Sequence, residues 1–190
     1  MGGERIVTRM DRRRALTGQS AGLKRFCLFR DGAYQGWLNG REFTLGGYWS
    51  YASSQTSQPS YELYLNDSGV LVFTMTGAYN RTNTFSIGIK AGDLLPAPIR
   101  RIGGTIWRST DETGEDQRIG MGVSQKFVQN ADMDTAFGAH EMEYSLLPTA
   151  ARECEMEITD PSAANYIVFQ ITRKNVNTRW VKIRELWVEV

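Results

Sequence analysis

Apolar and polar positions alternate along much of the chain beyond Tyr61. In the run CEMEIT, Cys154, Met156 and Ile158 share one phase, and glutamates occupy the other. Side chains point alternately to the two faces of a β-strand, so this run predicts a strand with one buried face. The runs FSIGIK (85–90) and HEMEYSL (140–146) repeat the same period of two and predict two further half-buried strands.

Two other runs are apolar in both phases, namely VLVFTMT (70–76) and YIVFQIT (166–172). Strands that are covered on both faces show this pattern, so these runs predict the central strands of the sheets.

The final run, VKIRELWVEV, changes phase in its middle. Val181 and Ile183 fall in one phase, whereas Leu186 and Val188 fall in the other. One extra residue would restore a common buried face, so we predict a β-bulge near Arg184 and Glu185.

Turn signals separate these runs. Asp31-Gly32 and Asn39-Gly40 are dipeptides that favour tight hairpin turns, and two prolines exclude a central strand between residues 91 and 99. About nine to eleven strands, with turns every 8 to 12 residues or so and almost no helical pattern, predict an all-β chain. We expect an antiparallel β-sandwich of the jelly-roll type as one domain over residues 24–190.

Charge is uneven along the chain, although the total is only +1. Residues 1–30 contain eight Lys and Arg against two acids, a net +6, and the remainder contains fourteen against nineteen, a net −5. We therefore predict that residues 1–23 form a flexible basic arm, which becomes ordered when it binds a neighbouring subunit. Its arginines are Arg5, Arg9, Arg12, Arg13 and Arg14. Contact with nucleic acid is the alternative, for which +6 is a modest charge.

Several classes of protein are not predicted. No apolar run approaches the length of a membrane span, and no apolar leader is seen, so we expect synthesis and folding in a cytosol. Two cysteines, Cys27 and Cys154, suggest buried thiols rather than a disulfide framework or a zinc site. We expect neither a metal nor a cofactor.

Enzymatic chemistry has little support. His140 is the single histidine, and no nucleophile, P-loop or metalloprotease motif is present. We therefore predict that the chain is not an enzyme. Two acidic segments are interpreted first as solvated loops. The alternatives for them are the carboxylates of a glycosidase or a weak Ca²⁺ site. Their acids are Asp111, Glu112, Glu115, Asp116, Asp132 and Asp134.

Aromatic residues suggest a binding surface. Four Trp and Tyr residues lie within a turn-rich stretch of fifteen residues, namely Trp37, Tyr48, Trp49 and Tyr51. Exposed aromatic rings beside Asn, Gln and Ser commonly contact a sugar or a protein epitope, and packing at the edge of the sandwich is the alternative. Trp107, Trp180 and Trp187 lie on predicted strands, where we expect core packing.

Two segments together resemble β-sandwich modules of bacteriophage and prophage structural proteins. The opening pattern of that family is met by Asp31, Gly32, Gly46, Gly47 and Trp49. Its closing pattern is met by Phe169, Ile171, Arg173, Ile183, Leu186 and Val188.

The resemblance implies a virion component of the tail, baseplate or fibre, assembled in the host cytoplasm. Its partners would be other virion proteins and further copies of the chain, with a trimer as one arrangement, and it could bind a host surface glycan. It implies no catalytic residue. The alternatives are a small capsid or decoration protein with a jelly-roll fold, and a free carbohydrate-binding module.

Overall fold

The computed structural model describes residues 23–34, 45–50, 60–76, 82–92, 95–110, 118–128, 137–174 and 178–190. These residues form twelve β-strands, one more than the largest number that the sequence predicted. The strands are β1 (Arg25–Arg30), β2 (Ala33–Tyr34), β3 (Leu45–Ser50), β4 (Ser60–Leu65), β5 (Leu71–Thr76), β6 (Thr82–Lys90), β7 (Arg101–Arg108), β8 (Ile119–Ser124), β9 (His140–Glu143), β10 (Arg152–Glu157), β11 (Tyr166–Lys174) and β12 (Thr178–Glu189).

The strands form two antiparallel sheets. The large sheet has the order β10, β7, β12, β1, β2, and it also contains β5 beside β12 and β4 beside β5. The small sheet has the order β3, β6, β11, β8, β9. Both predicted central strands, β5 and β11, have neighbours on their two sides. The prediction of an antiparallel, jelly-roll-like β-sandwich is confirmed.

The core lies between the two sheets. Ile102, Ile106, Val181 and Val188 of the large sheet and Phe169 of the small sheet are at most 1% exposed. The alternation predicted for β10 is confirmed, because Cys154 is buried in this core while the neighbouring glutamates are exposed. Burial of alternate positions on facing strands thus stabilises both layers together.

The predicted bulge in β12 is also confirmed. The pairing of β12 with β7 shifts register between Ile183 and Glu185. The shift lets Ile183 and Leu186 both face the core, although three positions separate them. A Cβ at Gly104, opposite the bulge, would lie 1.9 Å from the carbonyl oxygen of Glu185, so the backbones approach closely there.

The Asp31-Gly32 turn joins β1 to β2 as predicted. Both residues have positive φ, 47° and 82°, as a two-residue hairpin turn requires. The turn packs on the backbone of Gly69, where a Cβ would lie 2.9 Å from the carbonyl carbon of Asp31. Gly69 belongs to the turn between β4 and β5. Asn66 lies in the same turn, and its Oδ1 accepts the N–H of Val70 at 3.0 Å.

Two strand predictions need correction. The strand predicted from residues 140–146 ends at Glu143, so Tyr144 leaves the sheet edge and folds back over the sheet. The polar phase of the run 85–90 in β6 is solvated only at Lys90, because Ser86 is 0% exposed and Gly88 is buried. A second layer of side chains covers that face, and short-range alternation alone cannot reveal such a layer.

The prediction of core packing for the tryptophans is confirmed only for Trp187, which is 1% exposed. Trp187 is buried, but it lies outside the core between the sheets, on the outer face of the large sheet. It packs over Gly103, where a Cβ would lie 2.3 Å from Trp187 Cζ2, and beneath Arg25, whose guanidinium is 3.6 Å from the ring centroid. Trp187 is therefore buried because Gly103 has no side chain on one side of its ring and the guanidinium of Arg25 stacks on the other side.

The other two tryptophans lie on the same outer face. Trp107 and Trp180 are partly buried, beneath Arg184 at 5.7 Å and Lys182 at 4.4 Å respectively. None of the three tryptophans belongs to the apolar cluster between the sheets. They alternate with core residues of β7 and β12, namely Ile106, Val181, Leu186 and Val188, and therefore lie on the outer face of the large sheet.

The domain boundary at residues 23 and 24 and the arginines of the basic arm lie outside the described residues, and so does the Asn39-Gly40 turn. Within the described residues, no helix has the length and apolar character needed to cross a membrane.

Candidate functional site

The outer face of the small sheet is divided into two halves. One half is covered by a small apolar cluster, in which Phe137 and Val168 are buried and Phe127 packs on them. The rings of Phe127 and Phe137 have centroids 5.7 Å apart. Gly88 leaves the necessary space, because a Cβ there would lie 2.5 Å from Phe127 Cδ2. This half of the face is closed.

Backbone hydrogen bonds hold this cover in place. Gln125 N donates to Ala139 O at 2.8 Å, and Lys126 N donates to Phe137 O at 3.0 Å. Residues 125–126 are thus paired with residues 137–139 just beyond the ends of β8 and β9.

The other half of the face is polar. Ser86, Gln170 and Gly120 lie side by side on β6, β11 and β8. Gln170 Nε2 donates to Ser86 Oγ at 3.2 Å, and Tyr144 Oη donates to Gln170 Oε1 at 2.6 Å. Ser86 and Gln170 are 0% and 1% exposed, so these hydrogen bonds satisfy polar groups that are shielded from bulk water.

The ring of Tyr144 lies directly on the sheet. A Cβ at Gly120 would lie 2.7 Å from Tyr144 Cδ1, so only glycine leaves room for the ring. The guanidinium of the exposed Arg118 lies 5.1 Å from the ring centroid. Burial raises the pKa of Tyr144, and the positive charge of Arg118 offsets part of that rise.

A pair of hydroxyl groups continues this half. Thr84 Oγ1 and Thr172 Oγ1 are 3.1 Å apart on β6 and β11. We call the combined surface the polar platform, and it is defined by Thr84, Ser86, Arg118, Tyr144, Gln170 and Thr172. It offers an aromatic ring, hydroxyl groups and a cation on a rigid sheet, which suits a ligand rich in hydroxyl groups.

The sequence-predicted site residues are only partly brought together. In the backbone pairing of β3 with β6, Trp49 lies opposite Ser86, in the row that contains Gln170. Tyr48 lies opposite Ile87, which belongs to the core phase. The prediction therefore combined two positions that alternate between faces, and the other two predicted residues, Trp37 and Tyr51, lie outside the described residues.

Sequence reasoning missed Tyr144, Arg118 and Gln170. A signal for them was present in the run IGMGV, where Gly120 and Gly122 occupy one phase of β8. Glycines that alternate with apolar residues on a strand leave space for side chains from elsewhere to approach the sheet.

The contacts of His140 with the described residues are to a backbone carbonyl group and to an aromatic ring. His140 Nδ1 lies 2.8 Å from Gly138 O, and its ring packs edge-on against Phe137 at 5.7 Å. These contacts give His140 a structural role at the end of β9. The predicted acidic candidates in 111–117 and 129–136 lie outside the described residues, within which no group of three or more His, Cys, Asp or Glu is placed to hold a metal ion.

The two cysteines are free thiols. Cys154 is buried in the core, where desolvation raises the pKa of its thiol to about 11. Cys27 is partly buried, and desolvation also raises its pKa. Neither thiol is activated as a nucleophile, because a low pKa is what such activation requires.

No protein-family model matches this chain. No curated protein sequence matches it either. Among solved structures, the chain is similar to a family 29 carbohydrate-binding module from Piromyces equi, with 12% identity, a TM-score of 0.47 and coverage of 88% of this chain and 91% of that one. It is also similar to another structure described as a family 29 carbohydrate-binding module, with 10% identity, a TM-score of 0.44 and coverage of 88% of each chain. A low-affinity xylan-binding module from Roseburia intestinalis aligns with 10% identity, a TM-score of 0.39 and coverage of 87% of this chain and 93% of that one.

Proposed function

We propose that this chain is a non-catalytic glycan-binding β-sandwich that holds its ligand on the polar platform. The observation that carries the proposal is the ring of Tyr144, which is fixed above the row of Trp49, Ser86, Gln170 and Gly120 and lies beside the exposed Arg118. Ser86 and Gln170 are themselves buried, so they position the ring and do not contact the ligand.

The accessible groups of the polar platform suit a sugar. Pyranose rings present C–H groups that pack on aromatic faces and hydroxyl groups that need directional partners. Tyr144 supplies a ring whose position is fixed by its hydrogen bond to Gln170, and the hydroxyl pair of Thr84 and Thr172 lies in the neighbouring row. A pre-organised site loses little conformational entropy when it binds.

A binding role suits the platform better than catalysis does. The described platform carries no carboxylate and no histidine, and glycoside hydrolysis requires two carboxylates at a defined separation. Arg118 instead provides a cation beside the ring, which could hold an acidic sugar or donate to a neutral hydroxyl group.

The test is a glycan array that contains neutral and acidic polysaccharides, followed by calorimetric titration of each hit. Tyr144→Ala should weaken binding at least about tenfold, the effect of losing one aromatic anchor. Trp49→Ala should also weaken it, because position 49 shares the row of Ser86 and Gln170.

The matched control is Trp180→Ala, which removes an aromatic ring from the outer face of the other sheet. Its binding should equal that of the native chain. The proposal is wrong if no glycan binds, or if Tyr144→Ala binds as tightly as the native chain while Trp180→Ala does not.

Membership of a virion stays a separate prediction, which rests on the sequence resemblance and on the basic arm. A truncation that begins near Ala21 should fold but fail to join the particle. If the truncated chain still copurifies with assembled particles, the anchoring role of the arm is wrong.

A further inference from the structure

Strand β4 exposes apolar side chains on both of its faces. Leu63, Tyr64 and Leu65 are consecutive, and their exposed fractions are 38%, 45% and 48%. They are three of the four large apolar residues that are exposed among the described residues, the fourth being Val128 at 44%. The apolar exposure of this part of the chain is therefore concentrated on one strand.

β4 lies at an edge of the large sheet. Within the described residues it pairs with β5 and with no other strand. Leu63 and Leu65 lie opposite Phe73 and Leu71, which are core residues, so the apolar core continues out to this edge.

The direction of the free backbone groups follows from the pairing. Asn66 N donates to Val70 O at 3.0 Å, which continues the ladder between β4 and β5. Successive residues of a strand direct their N–H and C=O groups to opposite sides, so Leu63 and Leu65 direct theirs away from β5. Among the described residues these donors and acceptors have no partner strand, and they lie beside exposed apolar side chains.

Another edge of the same sheet is built differently. β10 carries Glu153, Glu155 and Glu157 at alternate positions, and all three are exposed. Charges on an edge strand oppose pairing with another chain, whereas β4 carries a single carboxylate, Glu62.

We propose that two copies of this chain form a dimer by antiparallel pairing of their β4 strands about a two-fold axis at Tyr64. In this register Leu63 lies opposite the partner's Leu65, and the reciprocal contact is identical. Each of these two contacts adds a pair of backbone hydrogen bonds. All three exposed apolar residues become covered at once, because the exposed triplet is itself centred on Tyr64.

The register also suits the single charge. Glu62 lies opposite the partner's Asn66, whose amide nitrogen can donate to the carboxylate, because Oδ1 of Asn66 is the atom that accepts the backbone N–H groups of its own turn. The two Glu62 positions lie roughly 13 Å apart along the strands, at 3.3 Å per residue, so like charges are kept separate.

A cysteine at the axis gives a direct test. Tyr64 occupies a non-hydrogen-bonded position, where opposite Cα atoms approach to about 4.5 Å, within disulfide range. Tyr64→Cys should give a disulfide-linked dimer under mild oxidation, above the level of the native chain, which reports any contribution from Cys27 and Cys154. Glu62→Cys is the matched control and should not crosslink above that level.

Sedimentation over a dilution series gives an independent readout. The native chain should show a reversible monomer–dimer equilibrium, and Leu65→Lys should be monomeric. Val128→Lys changes a residue of similar exposure elsewhere and should dimerise as the native chain does. Circular dichroism and thermal melting check that each variant is folded.

Three results would overturn the proposal: a native chain that is monomeric throughout, equal crosslinking of the two cysteine variants, or a folded Leu65→Lys variant that still dimerises. If Leu65→Lys fails to fold, the cysteine pair decides the question.

Discussion

Removing one oxygen atom tests the geometry of the polar platform. Tyr144→Phe keeps the ring on Gly120 and keeps the contact with Arg118, but it deletes the hydroxyl group that donates to Gln170 Oε1 at 2.6 Å. The change is therefore specific to the hydrogen bond.

The magnitude follows from the burial of Gln170. Its side chain is 1% exposed, so water cannot readily replace the lost donor. A buried acceptor that loses its partner costs about 1–3 kcal/mol of unfolding free energy. In urea, with a slope of about 1–3 kcal/mol per molar, the midpoint should fall by about 1 M when both quantities lie at the middle of their ranges.

The assay is equilibrium unfolding in urea, monitored by tryptophan fluorescence. Tyr64→Phe, measured at a concentration at which the chain is monomeric, is the matched control, because Tyr64 is 45% exposed and its hydroxyl group is accessible to water. It should stay within about 0.5 kcal/mol of the native chain. In a Gln170→Met background the acceptor is gone, and Tyr144→Phe should then cost much less.

The pH dependence provides a second check on Tyr144. Burial raises its pKa above the ordinary 10.0, so the folded state holds this proton more tightly than the unfolded state does. That contribution to stability is present below pH 10 and is lost as the pH rises through the folded pKa. The native chain should therefore lose stability relative to Tyr144→Phe at alkaline pH.

Equal urea midpoints for the native and Tyr144→Phe chains at neutral pH would refute the hydrogen bond between Tyr144 and Gln170.

Three further predictions concern the fold. Gly104→Ala should lose several kcal/mol of unfolding free energy, because its Cβ would meet the carbonyl oxygen of Glu185, and urea unfolding measures the loss. Gly32→Ala should cost about 1–2 kcal/mol by the same assay, because its φ of 82° is unfavourable for a residue with a Cβ. Cys154 should react with a thiol reagent far more slowly than Cys27 in the folded chain at pH 8, since it is buried and its pKa is about 11, and equal rates would contradict the core placement.

The sequence predicted the features that depend on local alternation. The buried phase of β10, the bulge in β12 and the Asp31-Gly32 turn each involve neighbouring residues, so their pattern is legible within a few positions. The burial of Trp187 was predicted, but its position on the outer face was not, because that position depends on Arg25 and Gly103, which are distant in the chain.

The candidate site was harder to predict for the same reason. Ser86, Gln170 and Gly120 become neighbours only through the register between strands, and Tyr144 reaches them from beyond the end of β9. Alternation assigns a residue to a face but does not align one strand with another. Trp49 was identified by its residue type, whereas its row was visible only in the paired strands.

The position of β12 has a consequence for how the chain matures on the ribosome. β12 pairs with β7 along one side and with both β5 and β1 along the other, yet it follows all three in the chain. These three strands are synthesised first and must wait for it, with their apolar faces open to solvent or to chaperones. In the small sheet β11 holds the same kind of position, because it pairs with β6 and β8 and follows both in the chain, but it is made before β12. We therefore expect a nascent chain stalled before β12 to be protease-sensitive in the large sheet.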